Sequence, residues 1–324
     1  MGEFDLIKRY FVRDPALGVS SDAVALGIGD DCAVLNPTPG MQWLVSCDML
    51  VEGRHFLSTV APERLAHKAL AVNLSDLAAC GATPRAFTLA LALPRADAVW
   101  LAGFAKGLFA LADAHGIALV GGDTTQGPLN ICVTVMGEVP RGQALLRSGA
   151  RVGDDIYVSG TVGDARLALE VFRGTAVLAG EAFEQARRAM ECPQPRVGLG
   201  QALRGLATSA IDVSDGLIGD LGHILQRSSV GACLAVDALP RSAVLASQSL
   251  ALQRECGLAG GDDYELIFTA PVVAREAVRQ ASLNCATPIT RIGHIEAEPG
   301  LRLADAQGQA LVAEFSSFDH FKTS

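Results

Sequence analysis

The sequence predicts an α/β protein of two domains. Three observations carry that reading. First, 324 residues at roughly 150 per domain allow two cores, and a chain that is 50% hydrophobic against 19% charged can fill them. Second, short apolar runs alternate with segments whose apolar residues recur at helical spacing. Third, a stretch at 141–152 rich in Gly, Arg and Ser has no periodicity, and the same strand–helix pattern resumes beyond it.

The elements follow in order. Residues 43–46 and 88–93 read as apolar strands. Residues 62–80 read as a helix, with Pro62 in the first turn, Gly81 at the stop and Pro84 beyond. Leu101, Phe104, Leu108 and Leu111 make 97–115 a second, amphipathic helix. A buried strand at 117–120 runs into Gly121-Gly122-Asp123, and another strand covers 130–138. The break at 141–152 sets the expected domains at 1–140 and 141–324. In the second, 155–159 starts a strand and Gly163-Asp164 opens a helix. A strand at 210–213 ends in Asp-x-x-Asp-Gly, a helix follows from about 216, and 266–269 is a further strand.

Composition excludes several functions. The chain carries 26 basic and 35 acidic residues, a net charge of −9, which argues against a nucleic-acid partner. No apolar run reaches the ~18 residues of a membrane span. The start, Met1-Gly2-Glu3-Phe4-Asp5, lacks the basic and apolar regions of a secretory leader. A soluble cytoplasmic protein is expected. The eight cysteines (32, 47, 80, 132, 192, 233, 256 and 285) form no C-x-x-C pair, so buried, reduced thiols are expected. There is no P-loop, and Gly27-Ile28-Gly29-Asp30-Asp31-Cys32 lacks the last glycine of a dinucleotide fingerprint. Protein-kinase, zincin and serine-hydrolase motifs are absent too.

The informative feature is the placement of acids. Asp30 and Asp31 follow Gly29; Asp48 follows the strand at 43–46; Asp76 sits in Asn73-Leu74-Ser75-Asp76; Asp123 follows Gly121-Gly122. Asp212 and Asp215 flank Val213-Ser214, and Asp262 and Asp263 follow Gly260-Gly261. A single Gly-Asp is an ordinary turn. Repeated beside apolar elements, such acids leave two readings open: independent turns, or carboxylates gathered around hard cations such as Mg²⁺. Asp76 falls in the last turn of its helix, where the dipole disfavours an acid and a cation would offset it.

Taken together, the segments resemble the thiamine-monophosphate kinase family, in the superfamily of aminoimidazole ribonucleotide synthetase. The carrying segments are Gly27-Ile28-Gly29-Asp30-Asp31-Cys32-Ala33-Val34, Asp48-Met49-Leu50-Val51-Glu52-Gly53-Arg54-His55-Phe56 and Lys68-Ala69-Leu70-Ala71-Val72-Asn73-Leu74-Ser75-Asp76-Leu77-Ala78-Ala79. They continue with Gly121-Gly122-Asp123-Thr124-Thr125, Arg147-Ser148-Gly149-Ala150, Asp212-Val213-Ser214-Asp215-Gly216-Leu217, Gly260-Gly261-Asp262-Asp263-Tyr264-Glu265-Leu266 and Phe318-Asp319-His320-Phe321. They run in order along nearly the whole chain.

The resemblance implies a two-domain PurM-like fold, with an N-terminal mixed sheet carrying helices on one face and a C-terminal α/β domain. It implies phosphorylation of thiamine monophosphate by ATP, by direct in-line transfer with several Mg²⁺ ions and no phosphoenzyme, in a homodimer joined through the N-terminal sheets. It implies metal ligation by Asp30, Asp48, Asp76, Asp123, Asp212 and Asp215, with oxygens from Ser46 and position 47, and places Asp30, Asp76 and Asp212 at the chemistry. ATP falls to Gly122, Asp123, Arg147, Ser214 and Phe104, and thiamine phosphate to His55, Asp262 and Phe318. The residues alone also allow Arg147 as a solvated linker arginine, Phe104 as core, His55 as a packed imidazole and Phe318 as a packing anchor.

Two positions depart from the family pattern. Cys47 stands where Thr is usual, so either its backbone carbonyl coordinates or one metal site is weakened, because a thiol is a poor Mg²⁺ ligand. Asp262 stands where Glu is usual and reaches one methylene less. Rival readings are a selenophosphate synthetase or hydrogenase-maturation enzyme of the same superfamily, and a metal-dependent nucleotide-binding regulator without turnover. A selenophosphate enzyme wants a reactive Cys or selenocysteine near its N-terminus, whereas the first here is Cys32; the maturation enzyme ends in Cys, whereas this chain ends Phe321-Lys322-Thr323-Ser324.

Overall fold

In the computed structural model, the described residues are 2–13, 22–311 and 315. The chain divides into two compact units: Met1–Leu77 with Ala82–Gly142, and Ala78–Gly81 with Gln143–Ser324. Among the described residues no helix is long and apolar enough to cross a membrane.

The first unit contains α1 (Glu3–Tyr10), β1 (Val24–Leu26), β2 (Val34–Leu35), β3 (Met41–Val51), α2 (Pro62–Ala79), β4 (Thr83–Leu93), α3 (Ala98–His115), β5 (Ala118–Gln126) and β6 (Asn130–Pro140). Strands β1 and β2 pair separately. The main sheet has the order β3-β6-β4-β5, with β4 and β5 parallel and the other neighbours antiparallel. The parallel pair needs a crossover, and α3 supplies it. Asp97 caps α3 by accepting from the N–H groups of Val99 and Trp100 at 3.0 and 3.1 Å, and Gly116 ends it at φ 62°. Such a cap stabilises a helix by about 1 kcal/mol. Helix α2 buries Leu65, Leu70, Leu74 and Leu77 almost completely, each worth roughly 1.5–3 kcal/mol of transfer free energy.

Strand β3 alternates: Val45, Cys47 and Met49 are exposed on one face, while Ser46 and Asp48 lie on the face toward α2. Two strands are longer than their apolar runs suggest. Asp48 lies inside β3 and Gly121-Gly122-Asp123 inside β5, because backbone pairing continues through these polar and glycyl positions. Asp48, Val133, Leu89 and Gly122 form one transverse row across the sheet. Gly122 has φ 146°, and a Cβ there would lie 1.9 Å from the Leu89 carbonyl oxygen. Only glycine fits.

The second unit contains β7 (Asp155–Ser159), α4 (Asp164–Phe172), α5 (Gly180–Glu191), α6 (Val197–Ala202), β8 (Ser209–Asp212), α7 (Leu217–Ser228), β9 (Gly231–Ala235), α8 (Ala243–Ala246), α9 (Leu250–Ala259), β10 (Leu266–Ala270), α10 (Arg275–Asn284), β11 (Ile289–Glu296) and β12 (Gly300–Ala304). Its six-stranded sheet runs β12-β9-β11-β7-β10-β8, antiparallel except for β9 with β12. The core packs Ile156, Val158, Ile211, Leu221, Ile224 and Ile267 with their neighbours.

Two acids buried in this unit, Glu265 and Asp155, are paired with arginines, which offsets their desolvation. Glu265 accepts from Ser159 Oγ at 2.5 Å and from Arg196 Nε at 2.7 Å, with a second guanidinium bond to its other oxygen. Asp155 accepts from Arg275 at 2.6 and 2.8 Å and from Arg291 at 3.2 Å. The Arg275 contact holds its carboxyl below the usual range, against burial and with help from Arg291. All eight cysteines are free thiols. Only Cys256 is buried, while Cys32 and Cys47 are exposed. The expectation of uniformly buried thiols is corrected accordingly: alternation puts Cys47 on the solvent face of β3.

Candidate active site

In the first unit, α2 faces β3 and brings three candidate groups together. Ser46 Oγ donates to Asp76 Oδ2 at 2.5 Å. The Asp48 N–H donates to Asn73 Oδ1 at 3.0 Å, and Asn73 in turn donates to the Ala69 carbonyl at 3.0 Å. Asn73 thus registers the helix against the strand, three residues before Asp76. His55 follows β3 on a turn. Its Nδ1 accepts from the Val51 N–H at 3.0 Å, and its carbonyl accepts from the buried Lys68 ammonium at 3.1 Å. With Nδ1 an acceptor, the neutral ring carries its proton on Nε2.

Other candidates stand apart. Asp30 is exposed on the loop after β1, where its carboxylate accepts from the Asp31 N–H at 2.9 Å. Asp123 is exposed on β5, the edge opposite β3. Three strand spacings separate Asp48 from that edge, about 14 Å. Two ligands of one Mg²⁺ must have oxygens within ~4 Å, so these two aspartates do not share an ion within one chain.

One expectation is corrected here, and at position 47 the side chain is placed. Phe104 is fully buried and stacked on Trp100 at 4.9 Å between ring centroids; it is core and offers no face to an adenine. The Cys47 thiol points away from Ser46 and Asp76 and lies 3.4 Å from Cys132 Sγ. Burial and Cys47 itself push the Cys132 thiol up to about 11. Strand alternation keeps the Cys47 sulfur off the Ser46 face, which leaves the backbone carbonyl at position 47 as the donor the sequence reading allows.

In the second unit, two motifs pair backbone to backbone. The N–H groups of Asp262 and Tyr264 donate to the carbonyls of Ser214 and Val213 at 2.9 and 2.8 Å. Asp262 and Tyr264 hold φ 67° and 51°, left-handed conformations that cost ~1–3 kcal/mol each unless surroundings enforce them. The Tyr264 hydroxyl donates to Asp262 Oδ1 at 3.1 Å. Asp263 accepts twice from the Gly163 N–H, at 2.9 and 3.0 Å. Loss of water, with Glu265, Asp164 and Asp262 nearby, holds the Asp263 carboxyl well above its ordinary range. Asp212 ends β8, nearly buried, and Asp215 is half-buried on the turn before α7.

Arg147 is exposed on a turn tied to α7. Ser228, the last residue of that helix, accepts from the N–H groups of Gly149 and Ala150 at 3.1 and 3.2 Å, and donates to the Arg147 carbonyl at 3.5 Å. Phe318 lies outside the described residues.

Sequence reasoning missed Asp220. Its Oδ2 accepts from the N–H groups of Ser214, Asp215 and Gly216 at 3.0, 3.1 and 3.1 Å. Burial, with the charge of Asp215 added, pushes Asp220 up to about 7 even against those three bonds. An acid in the first helical turn after Asp-Gly was the available signal.

Among the described residues no group of three or more His, Cys, Asp or Glu side chains gathers tightly enough to hold a metal ion alone. Mg²⁺ does not require one. It commonly takes one or two carboxylates, with waters and substrate phosphates completing its shell. The Ser46–Asp76 oxygen pair and the other candidate acids fit that donor chemistry; the Cys47 sulfur does not.

Residues 29–139 match the family described as AIR synthase related protein, N-terminal domain. The first of the two α/β units therefore carries an AIR synthase-related N-terminal domain. The chain is 46% identical to the thiamine-monophosphate kinase of Salmonella typhimurium over 99% of both chains, and 32% identical to that of Bacillus subtilis over 99% of this chain and 100% of the relative. It belongs to the thiamine-monophosphate kinase family. The solved thiamine-monophosphate kinase of Stenotrophomonas maltophilia K279a is 47% identical, with a TM-score of 0.84 over 90% of this chain and 93% of that one. AaThiL complexed with AMPPCP and TMP has a TM-score of 0.76 at 28% identity, over 98% and 96%. The hydrogenase maturation protein HypE in complex with ATP, at 21% identity and a TM-score of 0.77 over 98% and 95%, shares the fold.

Proposed function

We propose that this chain transfers the γ-phosphoryl group of ATP to thiamine monophosphate, yielding thiamine diphosphate and ADP. Full-length family membership carries the reading, and the acid-bearing elements give it chemical form. Phosphoryl transfer needs alignment and charge neutralisation more than covalent help, so a direct in-line transfer without a phosphoenzyme suits a chain with this residue set.

Mg²⁺ would be held by Asp30, Ser46, Asp48, Asp76 and Asp123 in the first unit and by Asp212 and Asp215 in the second. When bound it neutralises phosphate charge that an acidic wall would repel. Asp30, Asp76 and Asp212 act nearest the chemistry. Gly122, lacking a Cβ, lets backbone come close to the nucleotide, and Asp123 follows it. The Arg147 guanidinium forks onto phosphate, and the Ser214 hydroxyl adds a hydrogen bond. On the acceptor side, His55 offers its Nε2–H to the phosphate of thiamine monophosphate. Asp262, steadied by Tyr264, faces the cationic ring system, and Phe318 stacks on it.

The reading includes a homodimer. Val45 and Met49 are 66% and 53% exposed on the β3 face turned away from α2, an apolar surface that a second copy would cover. Asp48 and Asp123 stand on the two edge strands of one sheet, so an edge-to-edge arrangement of two copies would bring Asp48 of one chain near Asp123 of the other. A cytoplasmic location suits an ATP-dependent reaction.

The test incubates purified protein with ATP, Mg²⁺ and thiamine monophosphate. Thiamine diphosphate and ADP are expected in equal amounts. Binding of ATP with no thiamine diphosphate would leave a nucleotide-binding protein without this activity.

A further inference from the structure

We infer that Asp220 is a positioning residue for the Ser214-Asp215-Gly216 turn, and through it for the nucleotide and cation that this turn serves. The inference rests on the reading of Ser214 and Asp215 given above.

Three consecutive backbone N–H groups, those of Ser214, Asp215 and Gly216, converge on the single oxygen Oδ2 of Asp220. They sit just ahead of α7, where the helical ladder supplies no acceptor. Asp220 is only 3% exposed, so water does not substitute for it. The opposite side of the same turn is fixed as well. The Ser214 carbonyl accepts from Asp262 N–H, and a Cβ on Gly216 would meet the Ala259 carbonyl oxygen at 3.0 Å. The turn is therefore clamped through its donors by Asp220 and through an acceptor by the Asp262 loop.

This has a chemical consequence. A helix N-terminus with open N–H groups is an anion site. Here the carboxylate of Asp220 already occupies the N–H groups of Ser214, Asp215 and Gly216 ahead of the helix, so these three are closed to phosphate. At this turn phosphate contact falls to the Ser214 hydroxyl, to Arg147 and to an ion on Asp215. The geometry of Asp215 is then set by Asp220, as partners behind a metal ligand orient that ligand.

A plain helix cap and a positioning residue differ in what they move. Four variants are compared in the full-length protein, reading the Kd for Mg²⁺ with a non-hydrolysable ATP analogue by titration calorimetry, the Mg²⁺ concentration for half-maximal rate, and the KM for ATP and for thiamine monophosphate. Asp220→Asn keeps an acceptor oxygen at the same reach without charge. Asp220→Glu keeps the charge but shifts the carboxylate by a methylene. Asp220→Ala removes both. Asp215→Asn removes the ligand itself. Positioning predicts that Asp220→Glu and Asp220→Ala raise the Mg²⁺ requirement and the ATP KM by about 10–100-fold, with the thiamine monophosphate KM within about twofold. Asp220→Asn recovers most of that loss. If Asp220→Ala does not fold, the Glu and Asn variants still decide. The inference is overturned if Asn is impaired as much as Glu, or if both match wild type while Asp215→Asn is impaired. If Asp215→Asn itself leaves the Mg²⁺ dependence unchanged, the site reading fails and this inference fails with it.

Discussion

The two units hold their acids in different ways. In the first, Asp48, Asp76 and Asp123 stand on long regular elements, β3, α2 and β5, whose backbone pairing needs nothing from the carboxylates. In the second, Asp215 and Asp262 stand on turns. Those turns hold their shape through other side chains: Asp220 on three N–H groups, Asp263 on Gly163, Ser228 on Gly149 and Ala150. An acid on a regular element can be changed with little cost to the fold. An acid on a supported turn depends on residues that never touch a ligand.

The largest effect should come where a regular element itself is broken. Gly122→Ala places a methyl against the Leu89 carbonyl at a φ of 146°. Strain and overpacking together predict a loss of about 2–5 kcal/mol, seen as a lower denaturant midpoint, with β5 displaced and activity lost. Asp76→Asn is the contrasting case. It should reduce kcat by at least about 100-fold while the melting temperature stays within a few degrees. A large drop in melting temperature would break the contrast, because it would make Asp76 part of the scaffold.

Two smaller effects probe the second unit. Asp155 is far from the acid-bearing turns in its sheet pairing, and Arg275 and Arg291 depress its carboxyl. A depressed folded-state value means the stabilisation is present above the ordinary carboxylate range near 4 and is lost as pH falls through the still lower folded value. Asp155→Asn should therefore cost ~1–2 kcal/mol at pH 7, limited because water reaches both guanidiniums, and the difference from wild type should shrink toward pH 3. Unfolding curves at the two pH values check this. Ser228→Ala removes the hydroxyl behind the Arg147 turn. About 0.5–1.5 kcal/mol translates to a few-fold rise in the ATP KM, with the thiamine monophosphate KM unmoved. The dimer surface is checked separately: Val45→Asp should shift sedimentation toward monomer.

Much of this was legible in the sequence, for physical reasons that also mark where legibility ended. Helix α2 was read at 62–80 and spans Pro62–Ala79, because its proline, glycine stop and apolar run agree. Strand β7 is read at 155–159 and is Asp155–Ser159, an apolar centre of Ile156, Tyr157 and Val158 with every position buried. Strand β3 was read only at 43–46, since Ser46, Cys47 and Asp48 interrupt the apolar run. Pairing of Met41–Val51 with β6 overrides that local signal. Phe104 was correctly allowed as a core residue by its helical stripe, and its complete burial decides between the two readings. Asp220 left only the weak signal of an acid in a first helical turn, and Ser228 left none, because the partners of both are backbone groups. Strands β9 and β12 are five-residue runs built largely of small residues, and β11 mixes polar with apolar positions; all three become strands by tertiary pairing.

The central claim is that the acids of both units serve transfer of a phosphoryl group between two phosphate-bearing substrates. The most direct measurement follows the phosphorus itself, by ³¹P NMR of the protein with ATP, Mg²⁺ and thiamine monophosphate. The account predicts that the γ-resonance of ATP decays at the rate at which a terminal diphosphate resonance of thiamine diphosphate grows, with no inorganic phosphate between them. Decay of ATP into ADP and inorganic phosphate, with the thiamine monophosphate resonance unchanged, would contradict it.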